Sequence, residues 1–149
     1  MEINNRKRYT LTEIDKGPNP YIVNIEQATL QNPYYRAVVW TGGFLQLTVM
    51  SIPIGGEIGL EVHPETDQFL RIESGSGKTV MGPAQNTLTF QQFVTDGDAI
   101  FVPAGTWHNI INYGSRPLKI YSIYAPPHHP HGTVHKTKQQ ADLEENGHI

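Results

Sequence analysis

Cysteine is absent from the chain. That excludes a disulfide framework, a thiolate metal site and cysteine redox chemistry. No apolar run approaches the length needed to span a bilayer, and the first residues, MEINNRKRYT, lack the apolar core of a secretory signal. A cytoplasmic protein with no membrane partner is expected. Charge is also sparse: 11 Lys and Arg against 14 Asp and Glu leave a net charge of -3, with no footprint for nucleic acid. The one basic run, Arg6-Lys7-Arg8, is short and reads as a solvated edge. Long helical periodicity is equally scarce. What punctuates the chain instead is 14 glycines and 11 prolines, which mark turns between short segments.

The 149 residues are enough for one domain with a real core. Residues 1–34 read as an N-terminal extension. Within it, Gly17-Pro18-Asn19-Pro20 is a loop, and Asn24 with Gln27 three residues on marks a short helix over Ile25 to Gln31, stopped by Pro33. Residues 35–125 alternate β-branched or aromatic runs with turn residues. Strands are predicted at Tyr35 to Trp40, Phe44 to Ile52, Ile58 to His63, Gln68 to Glu73, Gly77 to Met81, Thr87 to Val94, Ala99 to Val102, Trp107 to Tyr113 and Leu118 to Tyr124. In the second of these Leu45, Leu47 and Val49 alternate with Gln46, Thr48 and Met50, giving one more apolar face. Many short strands with almost no helix call for an all-β closed sandwich or barrel. Residues 126–149 are a Pro- and His-rich tail, with a terminal helix predicted over Lys136 to Glu145 and ended by Asn146-Gly147.

Two stretches carry candidate chemistry. In GGEIGLEVHPETDQFLRIESG, Glu61 and His63 stand two apart in a predicted strand and leave the same face, with Gln68 after a short turn. In GDAIFVPAGTWHNIIN, His108 follows a Pro-x-Gly turn. If the stretches pair in one sheet, four donor-capable side chains converge, which suits a metal.

The spacing of these stretches resembles the cupin superfamily. Its first motif is Gly, five residues, His-x-His, three or four residues, Glu, six residues, Gly; here Gly55, Glu61-Val62-His63, Gln68 and Gly75 stand at those places. Its second motif is matched at every anchor by Gly97, Pro103, Gly105, His108 and Asn112. The departures are Glu61 for the first family histidine and Gln68 for the family glutamate. The resemblance implies a cupin jelly roll, one divalent transition metal (Fe, Mn, Zn or Ni) held by Glu61, His63, Gln68 and His108, and a small-molecule substrate or ligand. It also implies a homodimer that packs edge strands such as Tyr35 to Trp40.

Several residues carry more than one reading. Glu61 is a metal ligand, a catalytic general base, or the partner of a barrel-lining Arg36 or Lys119, since an unpaired buried carboxylate is costly. The Gln68 amide oxygen either ligates the ion or orients His63 or a substrate. Trp107 and Phe101 read as core or pocket wall, Glu65 and Asp67 as solvated, and Asn112 as satisfying a turn. The tail histidines His128, His129, His131 and His135 form a solvated loop, a separate metal site, or a cover that brings His129 or His131 to the barrel mouth. The function class implied is a metal-dependent enzyme: an isomerase moving a proton on a sugar or sugar acid, or a dioxygenase with iron. The other class is a non-catalytic binding or sensing module.

Overall fold

A computed structural model of the protein describes residues 14–146. The basic run at Arg6 to Arg8 and the helix stop at Gly147 lie outside them. After α1 (Ile25–Gln31) come β1 (Arg36–Thr41), β2 (Gln46–Ile52), β3 (Asp67–Ser74), β4 (Ser76–Gly82), β5 (Phe90–Thr95), β6 (Ala99–Val102), β7 (Trp107–Ile111), β8 (Leu118–Ala125), β9 (Val134–His135) and α2 (Lys138–Asn146). One antiparallel sheet runs β6-β3-β8-β2-β1-β9 and the other β5-β4-β7. Together they make a two-layered jelly roll, the form of closed β-sandwich that the resemblance implied. No helix among the described residues is long and apolar enough to cross a membrane.

Local chemistry explains most boundaries. Asn24 caps α1, its side chain accepting from the Gln27 amide at 3.0 Å, and Pro33 forces Asn32 into extended backbone. Between β3 and β4 the chain turns at Gly75, where φ is +103° and an added Cβ would come 2.9 Å from the Pro117 carbonyl. The strand predicted at Ile58 to His63 does not form as a ladder. Gly59 takes φ +101° and breaks the extended run, leaving isolated bridges from Glu57 to Ile111 and from Glu61 to His108. Asn109 accepts the freed Gly59 amide at 2.9 Å. The strand predicted from Thr87 starts only at Phe90, because Thr87 closes a turn onto Ala84.

The interior has two ends of different character. Register pairs Met50 with Ile120 and Ile120 with Ile72, and Ile52 with Leu118, so this end is apolar and holds the main core with Leu70, Ile100, Val102 and Ile110. Two residues along, Thr48 pairs with Ser122 and then Gln46 and Gln68 both pair with Tyr124. The polar face of β2 therefore points inward. Its apolar face, Leu47 and Val49, packs outward with Ile14, Ala37 and Val39 beneath Tyr21, Val23 and Val134. Both faces are buried, which is why alternation understated the burial of β2. Phe101, expected in the core or a pocket wall, stays out of the core: it is 68% exposed on the β6 edge, where it lines two surface clefts.

The tail folds back instead of trailing away. Gln46, fully buried, accepts from the His128 and His129 amides at 3.1 and 2.9 Å and donates to the His129 carbonyl at 2.8 Å. His135 on β9 then pairs with Arg36 on β1. Arg36 has no acceptor, so His135 accepts at Nδ1 (3.2 Å) and donates from Nε2 to Glu144 (2.6 Å), while Arg36 also meets Glu145 at 3.2 Å. These contacts fasten α2, whose Ala141 joins the core with Tyr35 and Ile58. Asp15 completes the closure by accepting from Thr41 Oγ1 at 2.7 Å and from the Gly132 amide at 2.8 Å.

Two expectations follow. Ile120 is fully buried in β8 between β2 and β3. Its truncation to Ala should cost about 2–5 kcal/mol in urea unfolding, and a cost below about 1 kcal/mol would show that the two sheets do not share this core. The second concerns His129, which faces the Tyr124 hydroxyl at 3.3 Å, the rings of His128 and His135, and the Arg36 charge. Burial, and next the Arg36 charge, push its pKa far below the ordinary 6.5. As pH falls through about 6.5 the unfolded ring takes up a proton that the native ring refuses, so stability declines on acidification until the native pKa is reached. The drop in Tm between about pH 7 and pH 5 should be smaller in His129→Gln. Equal drops would clear His129 of this role.

Candidate metal centre

Glu61, His63 and His108 come from both sequence stretches and meet at the polar end of the barrel. Glu61 and His108 are joined by a reciprocal backbone pair, 3.0 and 2.9 Å, which places their side chains on the same inner face. His63, two residues after Glu61, is tied by its carbonyl to the Gly105 amide at 2.9 Å in the Pro-x-Gly turn. One carboxylate oxygen, Glu61 Oε1, lies 3.3 Å from His63 Nε2 and 3.5 Å from His108 Nε2. The two rings are 5.1 Å apart between centroids, and the three donor atoms lie within 4.8 Å of one another.

The donor chemistry suits a metal ion. His108 Nδ1 meets the Thr106 carbonyl at 2.9 Å, and a carbonyl only accepts, so the ring proton sits on Nδ1 and the Nε2 lone pair faces Glu61. His108 Nε2 and both nitrogens of His63 are buried without a hydrogen-bond partner. Such orphans are costly unless something fills them. Tetrahedral ligation with bonds of about 2.1 Å would hold donors about 3.4 Å apart, close to the separations around Glu61.

Gln68 stands on β3 opposite Tyr124, whose ring is 5.6 Å from that of His63. Its Nε2 donates to Ser122 Oγ at 2.8 Å, which leaves Oε1 buried and without a partner, a free amide oxygen at the same end of the barrel.

The carboxylate of Glu61 is held by its histidines rather than by a cation in direct contact. Burial alone would push its pKa up; the close His108 and His63 rings, with the His63 and Arg36 charges, reverse this and hold it well below the usual carboxylate range. Arg36, weighed as a direct partner, is bonded to Glu145 and His135 and acts on Glu61 only at longer range. Lys119, the other candidate, donates to the Asn32 carbonyl at 2.8 Å. Glu65 and Asp67 are exposed, and Asn112 satisfies the turn around it, donating to the carbonyls of Ile52, Pro53 and Arg116.

The His129 ring lies 4.8 Å from that of His128 and 6.4 Å from that of His135, yet among the described residues the four tail histidines form no metal-ligand group of their own. His131 meets the Gly17 carbonyl and Asp15, His135 meets Arg36 and Glu144, and His129 packs under Tyr124. The ring brought to the centre is that of His128, 4.0 Å from His63 between centroids. Burial, and then the His63 charge, push its pKa down to about 4. The sequence reading considered His129 and His131 for this position. The available clue was the double proline before His128, with a glutamine on the inward face of β2 able to hold two successive amides. Two surface clefts, of about 260 and 320 Å³, open along the β5–β6 and β6–β3 edges; Gln68 lines the second, and Glu61, His63 and His108 line neither.

Comparison with known proteins agrees with this architecture. The chain is 59% identical over 127 residues to YrkC of Bacillus subtilis (strain 168), covering 85% of this chain and 68% of that protein. It is 41% identical over 122 residues to L612 of Acanthamoeba polyphaga mimivirus, covering 81% and 74%. The crystal structure of BH2720 from Bacillus halodurans superposes with a TM-score of 0.85 at 58% identity, covering 86% of this chain and 97% of that one. A cupin domain model matches residues 48–124, a span that contains both donor-bearing stretches and more than half of the chain. With the jelly roll and both motif spacings in place, the chain belongs to the cupin family.

Proposed function

We propose that the chain binds one divalent transition metal, Fe, Mn, Zn or Ni, and uses it as an enzyme acting on a small polar molecule in the barrel. The observation that carries this reading is a single carboxylate oxygen facing two buried, otherwise unpartnered imidazole nitrogens at 3.3 and 3.5 Å. Glu61, His63 and His108 would hold the ion, with Gln68 Oε1 as the fourth donor. Two imidazoles, a carboxylate and an amide oxygen form a mixed N/O set suited to these metals. A bound ion would supply Lewis-acid polarisation of a carbonyl or hydroxyl.

The protein's own residues set what else happens. His108 is fixed in orientation and tautomer by Thr106, so its Nε2 stays aimed inward. Glu61 meets the imidazoles through Oε1, which leaves Oε2 to accept a proton from a carbon next to a polarised carbonyl. That is isomerase-like proton transfer, and a sugar or sugar acid carries the required group. An iron-loaded centre would instead suit a dioxygenase. A second reading, a non-catalytic binding module, is favoured by one observation: Glu61 and Gln68 stand where the family pattern has His and Glu.

Elemental analysis of the purified chain should find close to one transition metal per chain. His63→Ala and His108→Ala should abolish it, and Glu61→Ala and Gln68→Ala should weaken affinity by at least about 10-fold. A folded chain that takes up no metal from supplemented medium would overturn the metal reading and leave the binding module. With metal present, deuterium exchange into sugar phosphates and uronates tests the proton-transfer step. Oxygen uptake in place of exchange would identify the dioxygenase.

A further inference from the structure

His128 reaches the centre from outside both motif stretches. Its ring lies 4.0 Å from His63 and stacks on Tyr124 at 5.7 Å with 26° between planes. His128 remains on the solvent side of the barrel end, and its ring nitrogens bond to none of the described residues. The ring is held in place through its backbone. Gln46 has four hydrogen-bonding positions on its amide, and all four are used: two accept from the His128 and His129 amides, and two donate to the His129 carbonyl and to Thr41 Oγ1 at 3.0 Å. Edge coverage by the tail needs only the β9 pairing to β1. A buried glutamine committed to two consecutive tail amides does something further: it turns His129 into the core and leaves His128 over the centre.

We propose that His128 is a specificity-determining residue of the pocket, whose ring N–H donates to an anionic or hydroxyl oxygen of the molecule bound at the centre, and that Gln46 is the positioning residue that holds it there. This rests on the metal reading of Glu61, His63 and His108. The class of molecule follows from the donor: a small acid or polyol with an acceptor atom projecting outward from the ion. A molecule without such an atom would leave the imidazole N–H unsatisfied and bind less well.

The test loads the full chain with cobalt(II) and titrates it with azide, a small hydrogen-bond-accepting anion, following the visible spectrum. His128→Ala should take up cobalt with the parent affinity and spectrum but bind azide about 3- to 10-fold more weakly, the size of one net hydrogen bond. His128→Gln, which keeps a donor, should stay within about twofold of the parent chain. Gln46→Ala should bind azide as weakly as His128→Ala and should speed hydrogen exchange at the His128 and His129 amides, a change that a role confined to core packing would not localise there. Unchanged azide affinity in His128→Ala overturns the proposal, as does a parent chain that binds cobalt but no azide. Loss of cobalt affinity in His128→Ala also overturns it, making the ring a ligand instead. A parent chain that takes up no cobalt removes the metal reading first, and this inference with it.

Discussion

Two backbone hydrogen bonds between Glu61 and His108 join segments that are far apart in the chain, and the rest of the site depends on them. A reciprocal pair of this kind fixes the separation of two residues and sends their side chains to the same side. It therefore does two things at once. It attaches the irregular run after Gly56 to β7 as a substitute for a full strand, and it brings a carboxylate and an imidazole together inside the barrel. Gly59 makes room for this by breaking the ladder, which leaves the donor-bearing Glu61–His108 pair beside the Glu57–Ile111 bridge and the Ile58–Ile110 hydrogen bond.

An interior with this many polar groups is expensive to fold, and the structure meets the cost unevenly. Gln46 is fully bonded, and Arg36 is engaged through His135 and Glu145, although its Nε has no partner. Gln68 Oε1, His63 and His108 Nε2 are left without partners. An orphaned buried polar atom costs about 1–3 kcal/mol; Thr48 Oγ1 and Thr79 Oγ1 are orphaned too, but four of the seven such atoms among the described residues belong to His63, His108 and Gln68. The apolar end, from Met50 and Ile120 to Leu118, supplies the burial that tolerates them. A polar layer stacked on an apolar layer is thus the division of labour inside one barrel: one end holds the fold, the other holds the donors.

The extensions at both ends of the chain are part of the same solution. The N-terminal segment from Ile14 and the returning tail bury the outer face of β1 and β2, while β9 pairs along the start of β1 and α2 packs Ala141 beside Ile58. Covered strand edges resist pairing with other chains. The same path carries His128 past His63, so the segment that seals the sheet also shapes the approach to the donors.

Sequence alone determined what depends on near neighbours. The α1 cap at Asn24, the glycine turn at Gly75, the all-β class and the spacing that sets Glu61 beside His63 were legible because each follows from residues a few positions apart. So was the cupin pattern, which is a spacing of such local features. Tertiary structure decided where long-range partners meet. It sent Arg36 to His135 and Glu145 rather than to Glu61, turned the polar face of β2 inward, put Phe101 on an edge, and chose His128 among four tail histidines. The reason is physical: a side chain's partner is set by which segments share a layer and by the one register that buries them together. No run of adjacent residues encodes that choice.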